Sequence, residues 1–240
     1  MNFLTIIFNQ LFYQPLFNAL IFIYRIVPGN DLGIAVLILT ILIKILLYPL
    51  NLKGIESQKK LSDLQPKLKE IRERFKNDKE MMTKETLELY QKEKINPFSG
   101  FFLILIQLPV LFALYKVFAD SIFSNDFSGL YSFVPNPGEI KPQFLMINLA
   151  KPDFILAFAA GVLQFFQAKT QTPAKQDFNI KAKSKDFPDF SEVLNKQMLY
   201  FFPVLTFFIL LKIPSAISLY LVASTGFSIL QRYIVLNPKK

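Results

Sequence analysis

The sequence has 240 residues, of which 52% are hydrophobic and 19% charged, and its mean hydropathy is +0.35. This composition is typical of a membrane protein rather than a soluble domain. Because it contains no cysteine and no histidine, disulfides, thiolate nucleophiles, thiol or imidazole metal sites and histidine general bases are excluded. The net charge of +9 indicates an acidic partner such as anionic lipid or nucleic acid.

Residues 1–30 are apolar, but polar side chains recur among them at roughly helical spacing: Asn2, Thr5, Asn9, Gln10, Gln14 and Asn18. This pattern favours an N-terminal interfacial amphipathic helix on the outer side of the membrane. The alternatives are a sixth span or an uncleaved signal. They are less favoured because there is no basic n-region and no A-x-A-like cleavage site, and because Pro15 interrupts the run.

Five apolar runs predict transmembrane helices, and the fold class is therefore an all-α polytopic membrane protein. The predicted helices span residues 31–51, 98–120, 153–169, 197–212 and 213–233. The last two are separated by so few residues that we expect a tight helical hairpin across the bilayer.

The distribution of Lys and Arg predicts the orientation, since basic loops stay in the cytoplasm. Most of these residues lie in segments 52–97, 170–196 and 234–240, which we assign to the cytoplasm. Residues 121–152 form the predicted outer loop, expected to be irregular, and the N-terminus is then outside. The absence of a transit peptide points to a bacterial plasma (inner) membrane.

Residues 52–97 predict a cytoplasmic helical hairpin, here called the arm. Apolar residues follow a 3-4 spacing along its first half, namely Leu61, Leu64, Leu68, Ile71 and Phe75. A second amphipathic stretch runs from Met81 towards Ile95. The two stripes either simply pack on each other or also present a docking surface for a ribosome, a targeting factor or a Sec-type translocon. The near balance of charge signs argues against recognition of a specific nucleic-acid sequence.

Segment 170–196 has no apolar period and is expected to be a disordered topology determinant.

Lys44 is a charged residue inside the first predicted span. Such a residue costs about 2.5–3.5 kcal/mol at the bilayer centre and usually marks function. Snorkelling to the inner interface is the alternative. No span interior contains Asp or Glu, so we expect no buried carboxylate partner for Lys44.

Polar residues in the other spans predict a hydrophilic cavity around Lys44, although each alone is more typical of a helix–helix hydrogen bond. They are Thr40, Gln107, Gln164, Gln167, Ser224 and Thr225. The lack of intramembrane carboxylates argues against a proton- or sodium-coupled pump. No phosphate-binding G-x-x-x-x-G-K-[ST] loop is present, and we expect neither a cofactor nor a metal.

Four segments occur in order: ILTILIKILLYPL, QPKLKEIRERF, KINPFSGFFLILIQLPVLFALY and KIPSAISLYLVAST. In sequence and spacing they resemble the YidC/Oxa/Alb family of membrane protein insertases, in its short form without the large outer domain. The resemblance implies five spans around a hydrophilic groove that is open to the cytoplasm and to lipid. Lys44 falls where the family usually has arginine, and Lys lacks the planar fork for bidentate carboxylate binding. Thr40, Tyr220 and Leu221 match substrate-facing positions.

The resemblance also implies a function without covalent catalysis, so we do not expect an enzyme. The groove would receive nascent membrane proteins and release their apolar segments laterally into the bilayer, independently or with a Sec-type translocon. The alternatives are a membrane-protein assembly chaperone or scaffold and, less favoured, a small-anion transporter that uses Lys44 as its site.

Overall fold

The computed structural model describes residues 3–96, 99–122, 124–171 and 197–237, and most of these are helical. Most of segment 170–196 and the last three residues of the tail lie outside the described residues. The helices are α1 (Phe3–Phe8), α2 (Gln14–Ile26), α3 (Leu32–Leu46), α4 (Tyr48–Asp63), α5 (Gln65–Arg74), α6 (Lys79–Lys92), α7 (Ser99–Lys116), α8 (Phe154–Gln171), α9 (Phe202–Leu210) and α10 (Ser215–Leu236). Three π-helical segments adjoin them at Asn9–Tyr13, Val117–Ile122 and Gln197–Phe201.

Among the described residues, two helices are long and apolar enough to cross a membrane, Thr5–Ile26 and Ser215–Leu236. A third span results if α3 and α4, which are bent by 63° at their junction, are counted together. Gln107–Ala119 and Gln197–Leu210 are shorter apolar helices. The chain is therefore a mostly helical membrane protein.

The N-terminal helix continues through Pro15, which the sequence predicted to be an interruption. Pro15 lies in the first turn of α2, and the preceding turn Asn9–Tyr13 is π-helical. Proline has no N–H, and its ring clashes with the carbonyl four residues earlier in a regular helix. The wider π turn relieves this conflict without breaking the helix.

The side chains of α2 are tied to the loop between α7 and α8. Asn18 is 3% exposed and makes two of these hydrogen bonds: its Nδ2 donates to the Gly129 carbonyl at 3.1 Å, and its Oδ1 accepts from the Tyr131 N–H at 2.6 Å. The Tyr24 hydroxyl accepts from the Lys141 N–H at 3.3 Å. These bonds satisfy a buried amide that would otherwise destabilise an apolar helix.

Helix α10 lies at the centre of the bundle and packs most extensively on α8 and α3. Gly161 permits the close approach of α8 to α9, because a Cβ there would lie 3.3 Å from the Pro203 carbonyl oxygen. The buried core includes Leu39, Leu114 and Ile217. Helices α3, α8 and α10 all begin at the same end of the bundle, here called the distal end, and the arm leaves from the opposite end.

Short antiparallel strands β1 (Gln143–Phe144) and β2 (Ile147–Asn148) form a hairpin within segment 121–152. The loop was expected to be irregular and instead contains this hairpin, while the fold remains mostly helical. Two residues per strand are too few to produce the alternating pattern by which strands are identified in a sequence.

The arm consists of α4, α5 and α6. Pro49 and Pro66 start new helices at Tyr48 and Gln65, since proline is tolerated in a first helical turn. The apolar seam survives these breaks, with Leu64 and Leu68 5% and 2% exposed. Asp78 caps α6 by accepting from the Met81 N–H at 2.9 Å.

Lys67 and Glu93 join the two halves of the arm through an ion pair of 2.7 Å. The hydrogen bond and the charge of Lys67 hold the pKa of Glu93 below its ordinary value. A carboxylate with a depressed pKa stabilises the folded state above its unfolded-state pKa, and that contribution is lost as the pH falls through the folded-state value. We therefore expect the protection of amides at the end of α6 against hydrogen exchange to fall slightly on acidification in the wild-type protein but not in Glu93→Gln. An identical pH dependence in the two proteins would contradict the assignment. The effect is small because the pair is exposed.

Candidate functional site

Lys44 lies in the last turn of α3 and is 5% exposed. Its ammonium donates to Ser228 Oγ on α10 at 2.9 Å and to Gln107 Oε1 on α7 at 3.5 Å. The charge is thus held between three helices, α3, α7 and α10.

Neutral side chains extend this contact into a continuous chain of hydrogen bonds. Gln107 Nε2 donates to the hydroxyl of Tyr220, and Tyr220 is also hydrogen-bonded to the side chain of Ser224. Ser228 Oγ donates to the Ser224 carbonyl at 3.0 Å. These five residues are here called the Lys44 network. Each member belongs to α3, α7 or α10, so the network ties these three helices together.

The Lys44 network contains one cation and no anion. Among the described residues, both ion pairs lie in the arm, Lys67–Glu93 and Lys69–Glu73. A buried charge that has only neutral partners is incompletely compensated, and a charged acceptor would make a stronger hydrogen bond to it. The arrangement is therefore suited to receiving a carboxylate.

The structure brings together four of the predicted site residues, Lys44, Gln107, Tyr220 and Ser224. Ser228 completes the network and was not predicted from the sequence. The signal that could have found it is its spacing of four residues from Ser224, which puts both hydroxyls on one face of α10.

The other predicted site residues lie outside the Lys44 network. Thr40 is buried, and its hydroxyl donates to the Val36 carbonyl at 2.7 Å. Leu221 is half-buried against the apolar core. Gln164 and Gln167 are half-buried on α8, and Gln164 Oε1 is buried without a hydrogen-bond partner. The Gln164 side chain is thus a second buried polar group in the bundle, separate from the Lys44 network.

A second set of polar contacts joins α10 to the base of the arm. The Arg232 guanidinium donates to Gln58 Oε1, and Gln231 Nε2 donates to the Tyr48 carbonyl at 3.4 Å. Gln58 is 8% exposed and Gln231 is 4% exposed. These bonds fix the direction in which α4 leaves the bundle.

The family model of the 60Kd inner membrane protein matches residues 22–240. A relative from Fusobacterium nucleatum, named Membrane protein insertase YidC, is 34% identical over 210 residues, which is 87% of each chain. The relative of the same name from Oceanobacillus iheyensis is 30% identical over 97% of this chain and 84% of its own length.

Other relatives are longer than this chain. The Membrane protein insertase YidC of Geobacter metallireducens is 33% identical over 91% of this chain, but the match spans 35% of that relative. The chain thus spans about a third of the length of such relatives and most of the length of the two above. Because the family model covers nearly the whole chain and relatives share 30% identity or more over most of it, the chain belongs to the 60Kd inner membrane protein family.

Proposed function

We propose that this chain is a membrane protein insertase that accepts nascent membrane proteins at the Lys44 network and releases their apolar segments into the bilayer. The observation that carries the proposal is the ammonium of Lys44, buried between three apolar helices with neutral partners. Membership of a family whose relatives are named Membrane protein insertase YidC supports it.

The proposed topology has five spans, formed by α3, α7, α8, α9 with its preceding π turn, and α10. Helix α10 has 22 residues, or about 33 Å at 1.5 Å per residue, close to the thickness of the hydrocarbon core. Helix α8 has 18 residues, or about 27 Å. The N-terminus is proposed to be outside and the C-terminus in the cytoplasm of a bacterial cell.

The N-terminal helix is proposed to lie in the interface, although it is also long enough to span. Its contacts support this placement. Asn18 and Tyr24, nearly two turns apart, both bond to the loop between α7 and α8. These bonds hold the second half of the helix beside the loop at the distal end, where the membrane interface is proposed to lie.

In the first step, an acidic tail of the substrate exchanges with the neutral partners of Lys44. Its carboxylate replaces Ser228 or Gln107 as the acceptor, and the released side chains keep bonds to the Ser224 carbonyl and to Tyr220. Each released side chain keeps one of its hydrogen bonds, so the free-energy cost of the exchange is low. Separation of α7 from α10 then breaks the bond between Gln107 and Tyr220, and the two side chains line the hydrophilic groove.

In the second step, the apolar segment of the substrate moves sideways into lipid. Burial of apolar surface supplies roughly 25 cal/mol per Å², and a membrane potential adds to this by drawing an acidic tail outward. The bundle offers exposed apolar side chains to the departing segment, such as Leu42 on α3 and Phe112 on α7. The step requires neither a nucleotide nor a covalent intermediate.

The arm is proposed to receive the substrate from a ribosome, a targeting factor or a Sec-type translocon. Its position supports this role, because Gln58 at its base is bonded to α10 of the Lys44 network. The lipid bilayer is the other partner.

The proposed function is tested by insertion of a single-span protein into vesicles that contain only this chain. Two substrates are compared, one with an acidic N-terminal tail and one in which each Asp of the tail is replaced by Asn. We expect protease protection of the acidic tail to exceed that in empty vesicles and to fall severalfold for the neutral tail, since a charged acceptor binds Lys44 more strongly.

Equal protection of the two tails would show that the negative charge of the tail does not contribute to insertion. Protection no greater than in empty vesicles for both substrates would overturn the insertase function and favour the assembly chaperone.

A further inference from the structure

The hairpin formed by β1 and β2 presents two large apolar side chains at its turn. Leu145 and Met146 are 83% and 98% exposed. Leu145 also has φ of 52°, a backbone conformation that is uncommon for a bulky residue and strained without compensation. An apolar turn in this conformation is unexpected if it faces only water, where Asn or Gly would be favoured.

The base of the hairpin is fixed rigidly to two helices. The Ser215 hydroxyl donates to the Asn148 carbonyl at 3.2 Å, and the Ala216 N–H donates to the Leu149 carbonyl at 3.1 Å, which joins the hairpin to the first turn of α10. On the other side, Phe144 packs on Gly33 in the first turn of α3. The turn is therefore held at the level where α3 and α10 begin.

The surroundings of the turn match the boundary of a membrane. Exposed apolar residues lie in the first turns of the neighbouring helices, Ile34 on α3 and Phe154 and Ile155 on α8. Exposed lysines flank the hairpin in sequence on both sides, Lys141 and Lys151. Apolar side chains beside cationic ones are the composition that binds anionic lipid at an interface.

We infer that the hairpin Gln143–Asn148 is a lipid anchor, whose Leu145 and Met146 enter the bilayer at the distal end while Lys141 and Lys151 contact anionic headgroups. The anchor fixes the depth of α3 and α10, and thus of the Lys44 network, relative to the membrane surface. This inference rests on the placement of the helices in a membrane and does not depend on insertase activity.

The chain contains no tryptophan, so a single introduced tryptophan reports its own position. Met146→Trp is reconstituted into vesicles of zwitterionic and anionic lipid brominated at defined depths, with acrylamide as the quencher in water. We expect strong quenching by bromine near the headgroup and weak quenching by acrylamide.

Two matched variants calibrate the measurement. Phe158→Trp replaces an exposed aromatic residue on α8 and is expected to be quenched by more deeply placed bromine. Asn136→Trp lies in an exposed part of the same loop and is expected to be quenched by acrylamide. A Met146→Trp protein that behaves like Asn136→Trp would overturn the anchor, and protection from both quenchers would show that protein covers the turn instead.

Leu145→Asn separates lipid contact from hairpin folding, because Asn is more compatible with positive φ than Leu. Combined with Met146→Trp, it is expected to reduce quenching by brominated lipid at least about twofold while the hairpin remains folded. Unchanged quenching would show that Leu145 does not anchor the turn.

Discussion

Lys44→Ala is expected to reduce insertion of an acidic-tailed substrate by at least about tenfold, equivalent to about 1.4 kcal/mol. The substitution removes the cation of the Lys44 network, so an incoming carboxylate would meet only Ser228 and Gln107. Lys44→Arg is expected to retain most of the activity, because the charge that attracts the carboxylate is kept. The measurement is protease protection in proteoliposomes that contain equal amounts of each protein.

Lys44→Met separates the charge from the packing. Methionine fills much of the same volume, and Gln107 and Ser228 keep their bonds to Tyr220 and to the Ser224 carbonyl. Since replacing a buried charge with an apolar residue is often neutral or stabilising, we expect Lys44→Met to unfold at or above the wild-type temperature while inserting as poorly as Lys44→Ala. Normal insertion by Lys44→Met would assign Lys44 a structural role and leave groove polarity as the remaining basis of the mechanism.

The closed Lys44 network explains how an intramembrane charge can be both stable and reactive. The hydrogen bonds that the Lys44 ammonium donates to Ser228 and Gln107 compensate it for the loss of water, so that the buried charge is tolerated. These are bonds to neutral acceptors, which are weaker than a bond to a carboxylate. In the proposed mechanism, the substrate therefore competes with side chains of α7 and α10, and its binding is coupled to separation of those helices.

Much of this site could be predicted from the sequence, because a charge within an apolar run and polar residues in other runs are both visible there. Lys44, Gln107 and Ser224 were predicted in this way and Tyr220 from the family resemblance, and the structure brings the four together. The sequence could not give the relative rotation of the helices. For this reason Thr40 was predicted to line the cavity with Lys44, one turn away, whereas its hydroxyl bonds to its own helix.

The distal end was less predictable, because its structure depends on contacts between segments far apart in sequence. The β1–β2 hairpin has strands too short to show a period and is positioned by Ser215 and Gly33. The same applies to the π turn before Pro15, where the sequence shows a proline but not how the helix accommodates it. In the arm, by contrast, the apolar spacing was sufficient, since Leu64 and Leu68 are buried as a seam requires.

Gly33→Ala is expected to destabilise the protein by about 1–3 kcal/mol, the typical effect of overpacking. Helix propensity alone predicts the opposite sign, because Ala is favoured over Gly within a helix by about 1 kcal/mol. Phe144 reverses the sign: a Cβ at Gly33 would lie 2.1 Å from Cγ and Cδ2 of its ring and 2.6 Å from its Cβ. The ring and the hairpin that carries it must therefore move. The measurement is the free energy of unfolding in mixed micelles.

Gly226→Ala is the matched control, since Gly226 also lies within a helix and a Cβ there would meet nothing within 4 Å. It is expected to be neutral or stabilising. Combining Gly33→Ala with Phe144→Gly tests the contact itself: once both the ring and the Cβ of Phe144 are gone, adding the methyl group should no longer destabilise, giving a coupling free energy of about the size of the original loss. If Gly33→Ala destabilises equally with and without Phe144, the close approach of α3 and the hairpin is not the cause. If coupling is observed, the contact that sets the level of the Leu145–Met146 turn is established independently of any measurement of activity.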